Sequence, residues 1–181
     1  MVKWFLATVF FLISVLVSLF VVNQVNRKYD IRSSAAPSTS LSFLLVNNKI
    51  KVNDQFSLRV YISTGLNQTA GAQLNINYDP LKLRLNGVVA GTFYTNPTIL
   101  GPTIDNTSGK LSYALIVPPG SMPVSGSGVL ATLNFTAISQ GITPVSFDSA
   151  NTLVIATGEG GQNVISTLSP ISINVRKASG K

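Results

Sequence analysis

The carboxylates from Pro37 onward are Asp54, Asp79, Asp105, Asp148 and Glu159, and no histidine or cysteine accompanies them in the 181-residue chain. That absence removes Ser/His/Asp and Cys/His nucleophile systems, imidazole and thiolate zinc sites, redox dithiols and disulfides together. Two carboxylates facing one bond would make a glycosidase, and several within one short segment would make a calcium loop. These five are far apart, each beside a Gly, Pro, Asn or Ser turn signal or a strand end. That placement points to turn capping, and only convergence in space would make them more.

Two other stretches invite chemistry. Gly158-Glu-Gly-Gly161 resembles a phosphate cradle, but no Lys-Ser/Thr pair and no helical pattern follow it, so it reads as a hairpin turn. Ser121-Met122-Pro123 is close to the nucleophile motif of membrane-anchored β proteases of the signal peptidase type, with the spacing off by one. Such enzymes need a lysine base well downstream, and the only later lysines, Lys177 and Lys181, sit in the tail. The sequence therefore predicts no enzyme, with no catalytic, cofactor-binding or metal-binding residue.

The net charge of +7 has no nucleic-acid footprint. Lys3, Arg27, Lys28 and Arg32 flank the first apolar run, while Lys49, Lys51, Arg59, Lys82, Arg84 and Lys110 are scattered singly, without interleaved aromatics. Only 10% of the residues are charged and 45% are hydrophobic, which allows a well-filled core.

After a short tail of residues 1–3, Trp4–Val22 is an apolar run broken only by Thr8, Ser14 and Ser18. As a helix it would be about 28 Å long, enough to cross a bilayer core, with an insertion free energy on the order of −4 to −8 kcal/mol. It exceeds a signal-peptide core, and the first small-residue site, Ser34-Ala35-Ala36, is distant, so the expectation is an uncleaved transmembrane signal anchor. Residues 23–40 form a basic juxtamembrane segment, able to lie against anionic headgroups, followed by a Ser/Ala/Pro spacer. Arg27, Lys28 and Arg32 outnumber Lys3, which by the positive-inside rule would keep the following domain in the cytoplasm.

The elements that must position any site are strands. In Gly128–Ala137, Val129, Ala131, Leu133, Phe135 and Ala137 alternate with Thr132, Asn134 and Thr136, and Leu130 breaks the pattern at its start. Nine strands are expected, over 41–46, 55–63, 72–78, 83–89, 110–117, 129–137, 144–147, 153–157 and 171–175. Phe56, Leu58, Val60 and Ile62, with Ala72, Leu74, Ile76 and Tyr78, should join Leu133 and Phe135 in one core. Asp105–Gly109 reads as a turn and Pro118–Gly128 as a long loop. The fold class is all-β, a sandwich of about nine strands behind one transmembrane helix, with a basic tail over 176–181.

Gly71-Ala-Gln-Leu-Asn-Ile-Asn-Tyr-Asp-Pro-Leu-Lys-Leu83 resembles the cohesin strand that ends in Tyr-Asp-Pro and a following leucine. Gly109-Lys-Leu-Ser-Tyr-Ala114, Gly126–Ala137, Gly141 and Phe147 resemble later cohesin strands in the same order, so the likeness covers about residues 41–175. It implies a jelly-roll sandwich displayed outside the cell that binds calcium-loaded dockerin modules through one sheet face in polysaccharide-related assembly. By position, the resemblance puts Gly71, Gln73 and Asn75 on that face with Tyr113 and Leu115 of the neighbouring strand. Where familiar cohesins often carry acidic residues there, this chain has Gln73. The alternatives are direct polysaccharide binding, with Tyr61, Tyr94 and Tyr113 to stack on a sugar although the sole tryptophan is Trp4, and a structural or adhesion domain of the envelope.

Overall fold

In the computed structural model, residues 37–157 and 162–178 are described. The expected anchor over 4–22, the basic segment that follows it and the Gly158–Gly161 turn lie outside them. Among the described residues, no helix is long and apolar enough to cross a membrane.

Among the described residues, twelve strands follow in chain order: β1 (Thr39–Leu45), β2 (Ile50–Lys51), β3 (Gln55–Ser63), β4 (Thr69–Tyr78), β5 (Leu83–Ala90), β6 (Thr98–Asp105), β7 (Lys110–Ile116), β8 (Ser127–Ala137), β9 (Gly141–Phe147), β10 (Leu153–Ala156), β11 (Ile165–Leu168) and β12 (Ile171–Arg176). One sheet has the order β11-β1-β3-β8-β5, the other β2-β12-β9-β4-β7-β6, with β10 also on β4. β9 pairs with the Ile76–Tyr78 end of β4 and β10 with its Thr69–Gln73 end.

Against nine expected strands, the described residues form twelve, for identifiable reasons. β2 has two residues, too short for an alternation to register, and β11 reads Ile-Ser-Thr-Leu, with its apolar residues at opposite parities and no buried face. β6 reads Thr-Ile-Leu-Gly-Pro-Thr-Ile-Asp and is exposed along nearly its whole length. Its Gly and Pro look like a loop, yet β6 is the last strand of its sheet, where a proline need not donate to a ladder.

The core forms where the two inner faces meet. Phe56, Leu58, Val60, Ile62, Ala72, Leu74, Ile76, Tyr78, Leu133 and Phe135 are all buried in one cluster, as the alternation predicts. Phe43 of β1 stacks on Phe147 of β9 at 4.3 Å, and Tyr78 of β4 meets Phe135 of β8 edge-on at 5.3 Å, so aromatic pairs tie sheet to sheet. The irregularity at Leu130 is a bulge: Val60 pairs with Ala131 and Tyr61 with Val129, and the extra residue, Leu130, is buried.

The chain enters at one end of the sandwich and leaves at the other. At the entry, Asn67 Oδ1 accepts from Ser38 N at 3.1 Å, Ser38 Oγ at 2.7 Å and Thr39 Oγ1 at 3.0 Å. Gly65, in this loop, has φ +57, and a Cβ on it would meet Ser38 Oγ at 2.7 Å, so the latch needs glycine on both counts. At the exit, the Arg176 carbonyl accepts from Val52 N at 3.0 Å, beside the Asp54–Ala137 end of β3 and β8.

Candidate partner-binding face

The strands β10, β4, β7 and β6 lie side by side, and register decides which side chains share their outer face. Gly71, Gln73, Asn75 and Asn77 on β4 stand opposite Ile116, Ala114, Ser112 and Lys110 on β7. Leu100 and Thr103 of β6 extend the rows of Ala114 and Ser112, while Leu153 and Ile155 of β10 extend those of Gln73 and Gly71.

Three of the five expected residues, Gly71, Gln73 and Asn75, therefore share one outer face. Tyr113 and Leu115 do not. They pair with Leu74 and Ala72 and are 2% and 1% exposed, inside the core. The stretch Lys-Leu-Ser-Tyr-Ala-Leu-Ile carries apolar residues at both parities, so alternation alone leaves its facing open. The larger set, Leu111, Tyr113 and Leu115, takes the core, and burial raises the Tyr113 pKa. Ala114 and Ile116 take the outer positions, and Ile116 is 41% exposed.

The result is a face with two halves. Toward the chain entry, Gln73, Leu100, Ala114, Ile116, Leu153 and Ile155 border a shallow groove of about 280 Å³. Its floor is Gly71, where a Cβ would come within 3.1 Å of the Leu115 carbonyl oxygen. Toward the exit end the face turns polar, with Asn75, Asn77, Thr103, Asp105, Lys110, Ser112 and Asp148 around a second depression. Asn75 is partly committed, its Nδ2 donating to the Asn151 carbonyl at 2.7 Å, whereas Gln73 is exposed. The groove was not foreseen because Leu100 lies on an unrecognised strand and β10 meets β4 across some 80 residues of sequence.

All four described carboxylates cap turns. Asp54 accepts from Lys51 N, Asp79 from Leu81 N, Asp105 from Thr107 N and Ser108 Oγ, and Asp148 from Ala150 N and Asn151 Nδ2, at 2.7–3.1 Å. The Ser108 side chain and neighbouring amides lower the Asp105 pKa, and the Asn151 side chain does the same for Asp148. Asp105 and Asp148 do approach one depression, but with their oxygens engaged in these turns. No group of three possible metal ligands occurs among the described residues. Of the tyrosines considered for sugar stacking, Tyr94 and Tyr113 are 3% and 2% exposed, so only Tyr61 keeps a partly open ring.

A family model described as "Cohesin domain" matches residues 42–175. No curated protein sequence is significantly similar. Among solved structures, the chain resembles the cohesin of a type I cohesin–dockerin complex from Clostridium thermocellum, with TM-score 0.65, 14% identity, and 80% of this chain and 97% of that one covered. It also resembles the cohesin of a type II cohesin–X-dockerin complex from Acetivibrio cellulolyticus, with TM-score 0.63, 19% identity and coverages of 77% and 100%. A third relative is the cohesin module of a family 33 glycoside hydrolase from Clostridium perfringens, with TM-score 0.61, 16% identity and coverages of 78% and 100%. At these identities the likeness is one of fold.

Proposed function

The chain belongs to the cohesin family, and from that premise we propose that it binds a dockerin-like protein module through the outer face of β10, β4, β7 and β6. The observation that carries this reading is the groove between Ile116, Leu100 and Ile155, an open apolar strip on an otherwise polar sheet, flanked by the exposed amide of Gln73. Such a strip can bury the apolar side of a partner helix, and the polar half beside it can supply the hydrogen-bonding rim that interfaces of this kind carry. Calcium, in this reading, belongs to the partner.

The role is assembly in a polysaccharide-related complex. The apolar run Trp4–Val22 anchors the chain in a membrane, residues 23–40 serve as the spacer, and the sandwich is displayed on the extracytoplasmic side. The test is calorimetric titration of the chain with type I and type II dockerin modules, with calcium and with chelator. Binding that disappears on chelation and in Ile116→Glu is the expected result. Absence of binding to every dockerin, including those encoded by the chain's own organism, would overturn the reading.

A further inference from the structure

Charge is distributed unevenly along the sandwich. Lys49, Lys51, Asp54, Asp79, Lys82, Asp105, Lys110, Arg176 and Lys177 all lie in or next to the turns at the exit end. The described residues of the loops at the entry end, 37–38, 64–68, 91–97, 117–126, 157 and 162–164, contain no charged residue, and the one charge in the sequence of these connections is Glu159, between Thr157 and Gln162. Those loops also carry the two most exposed large apolar side chains, Leu66 at 95% and Met122 at 87%.

The two side chains belong to one surface. Thr64 N donates to the Gly126 carbonyl at 2.9 Å, Gly126 N returns to Thr64 Oγ1 at 2.9 Å, and Thr69 and Val124 exchange backbone bonds at 2.8 and 2.9 Å. The turn Pro118-Pro-Gly-Ser121 closes with Ser121 N on the Pro118 carbonyl, and Gly120 at φ +84 suits the third position of a type II turn, so the Met122 loop has a defined shape. Single exposed apolar residues are ordinary, and Leu81 and Ile142 at the exit end are examples, 78% and 65% exposed but set beside Asp79 and Lys82. Around Leu66 and Met122, by contrast, the described residues of the same loops carry no charge.

We propose that the entry end, through Leu66 and Met122, is a lipid-contacting surface that rests in the interface of a bilayer. The proposal depends on the anchor reading of Trp4–Val22. Fourteen residues, Asn23 to Ala36, separate that run from Pro37, and a chain of that length reaches at most about 50 Å. Leu66 is held at this entry point, its N–H donating to Ser38 Oγ at 3.2 Å. Transfer of a fully exposed Leu or Met into an apolar phase favours the contact by on the order of tenfold or more per side chain. The loops that carry Leu66 and Met122, residues 64–68 and 117–126, hold no charge whose desolvation would oppose it.

The chain contains no cysteine, which makes single-site labelling direct. The full chain is reconstituted into phosphatidylcholine vesicles as Leu66→Cys, Met122→Cys and, at the exit end, Ile142→Cys, each bearing an environment-sensitive fluorophore. The expected result is blue-shifted emission at positions 66 and 122, quenched by a lipid-borne quencher, with water-like emission at 142. Water-like emission at all three sites in a chain that resists alkaline extraction overturns the proposal alone. Release of the chain by alkaline extraction overturns the anchor reading and the proposal with it. A shift at 66 and 122 that follows protein density and ignores the lipid quencher assigns the surface to a second copy of the chain and overturns the lipid contact.

Discussion

Asn106 grips the backbone of Leu85 from the opposite sheet: its Oδ1 accepts from Leu85 N at 2.8 Å and its Nδ2 donates to the Leu85 carbonyl at 3.0 Å. The same Oδ1 accepts from the Tyr78 hydroxyl at 2.9 Å. One side chain from the β6–β7 turn thus takes the part of a strand residue for β5. Asn106→Ala should lower stability by about 2–3 kcal/mol, because it leaves backbone groups of Leu85 without partners and the Tyr78 hydroxyl with only the Asp105 carbonyl, at 3.5 Å. Urea denaturation checks this, and Tyr78→Phe, which removes one bond only, should cost about 1 kcal/mol.

Alkaline pH should destabilise the domain. Burial, and the Asp105 charge after it, pushes the Tyr78 pKa up to about 12, and burial likewise pushes Tyr94 to about 12 against the opposing hydrogen bond to Thr69. The folded state then keeps these protons after the unfolded chain has begun to lose its own near pH 10. Stability is unaffected by them below pH 10 and falls as pH rises from 10 to 12. Melting temperature across that window is the measurement, and Tyr94→Phe should flatten part of the fall.

The facing of β7 separates binding from folding. Ile116→Glu places a charge in the open groove and should weaken a dockerin-like partner by a hundredfold or more, about 3 kcal/mol, with the melt unchanged. Leu115→Glu, one residue earlier, buries a charge in the core and should abolish the cooperative melt. Equal behaviour of the two variants would reverse the assignment of the face.

Thr143 on β9 is fully buried, and its Oγ1 is the one buried side-chain polar atom with no hydrogen-bond partner among the described residues. Thr143→Val keeps the shape and removes the unsatisfied hydroxyl, so it should stabilise the domain by about 1 kcal/mol. A drop in melting temperature would show that the hydroxyl has a partner.

Leu133→Ala, at the centre of β8, removes a fully buried side chain from the two-sheet core. The expected cost is roughly 2–5 kcal/mol by denaturant titration, and Leu133→Asp should leave no cooperative transition.

What the sequence made legible was the set of strands with one clean buried face. Gln55–Ser63 has the expected bounds, and the alternations of β4 and β8 place their core residues as found. Less legible was any element whose environment is set by neighbours distant in sequence. The Gly-Pro of β6 is tolerated because β6 ends its sheet and its register with β7 breaks between Leu100 and Thr103, the parity of β7 was open because Tyr113 and Ile116 both fit an inward position, and Ile155 joins the groove only through pairing with β4. The face as a whole came from resemblance, and its apolar half came from the structure.

Entry at Ser38 and exit at Arg176, at opposite ends of strands that run between them, has a mechanical side. A pull applied to both ends of the domain acts along the strands. β1 is held by a six-pair antiparallel ladder to β3, and β12 by a five-pair ladder to β9. Tension in that direction loads each ladder in shear, across all of its bonds at once, where a pull at right angles would open them one after another.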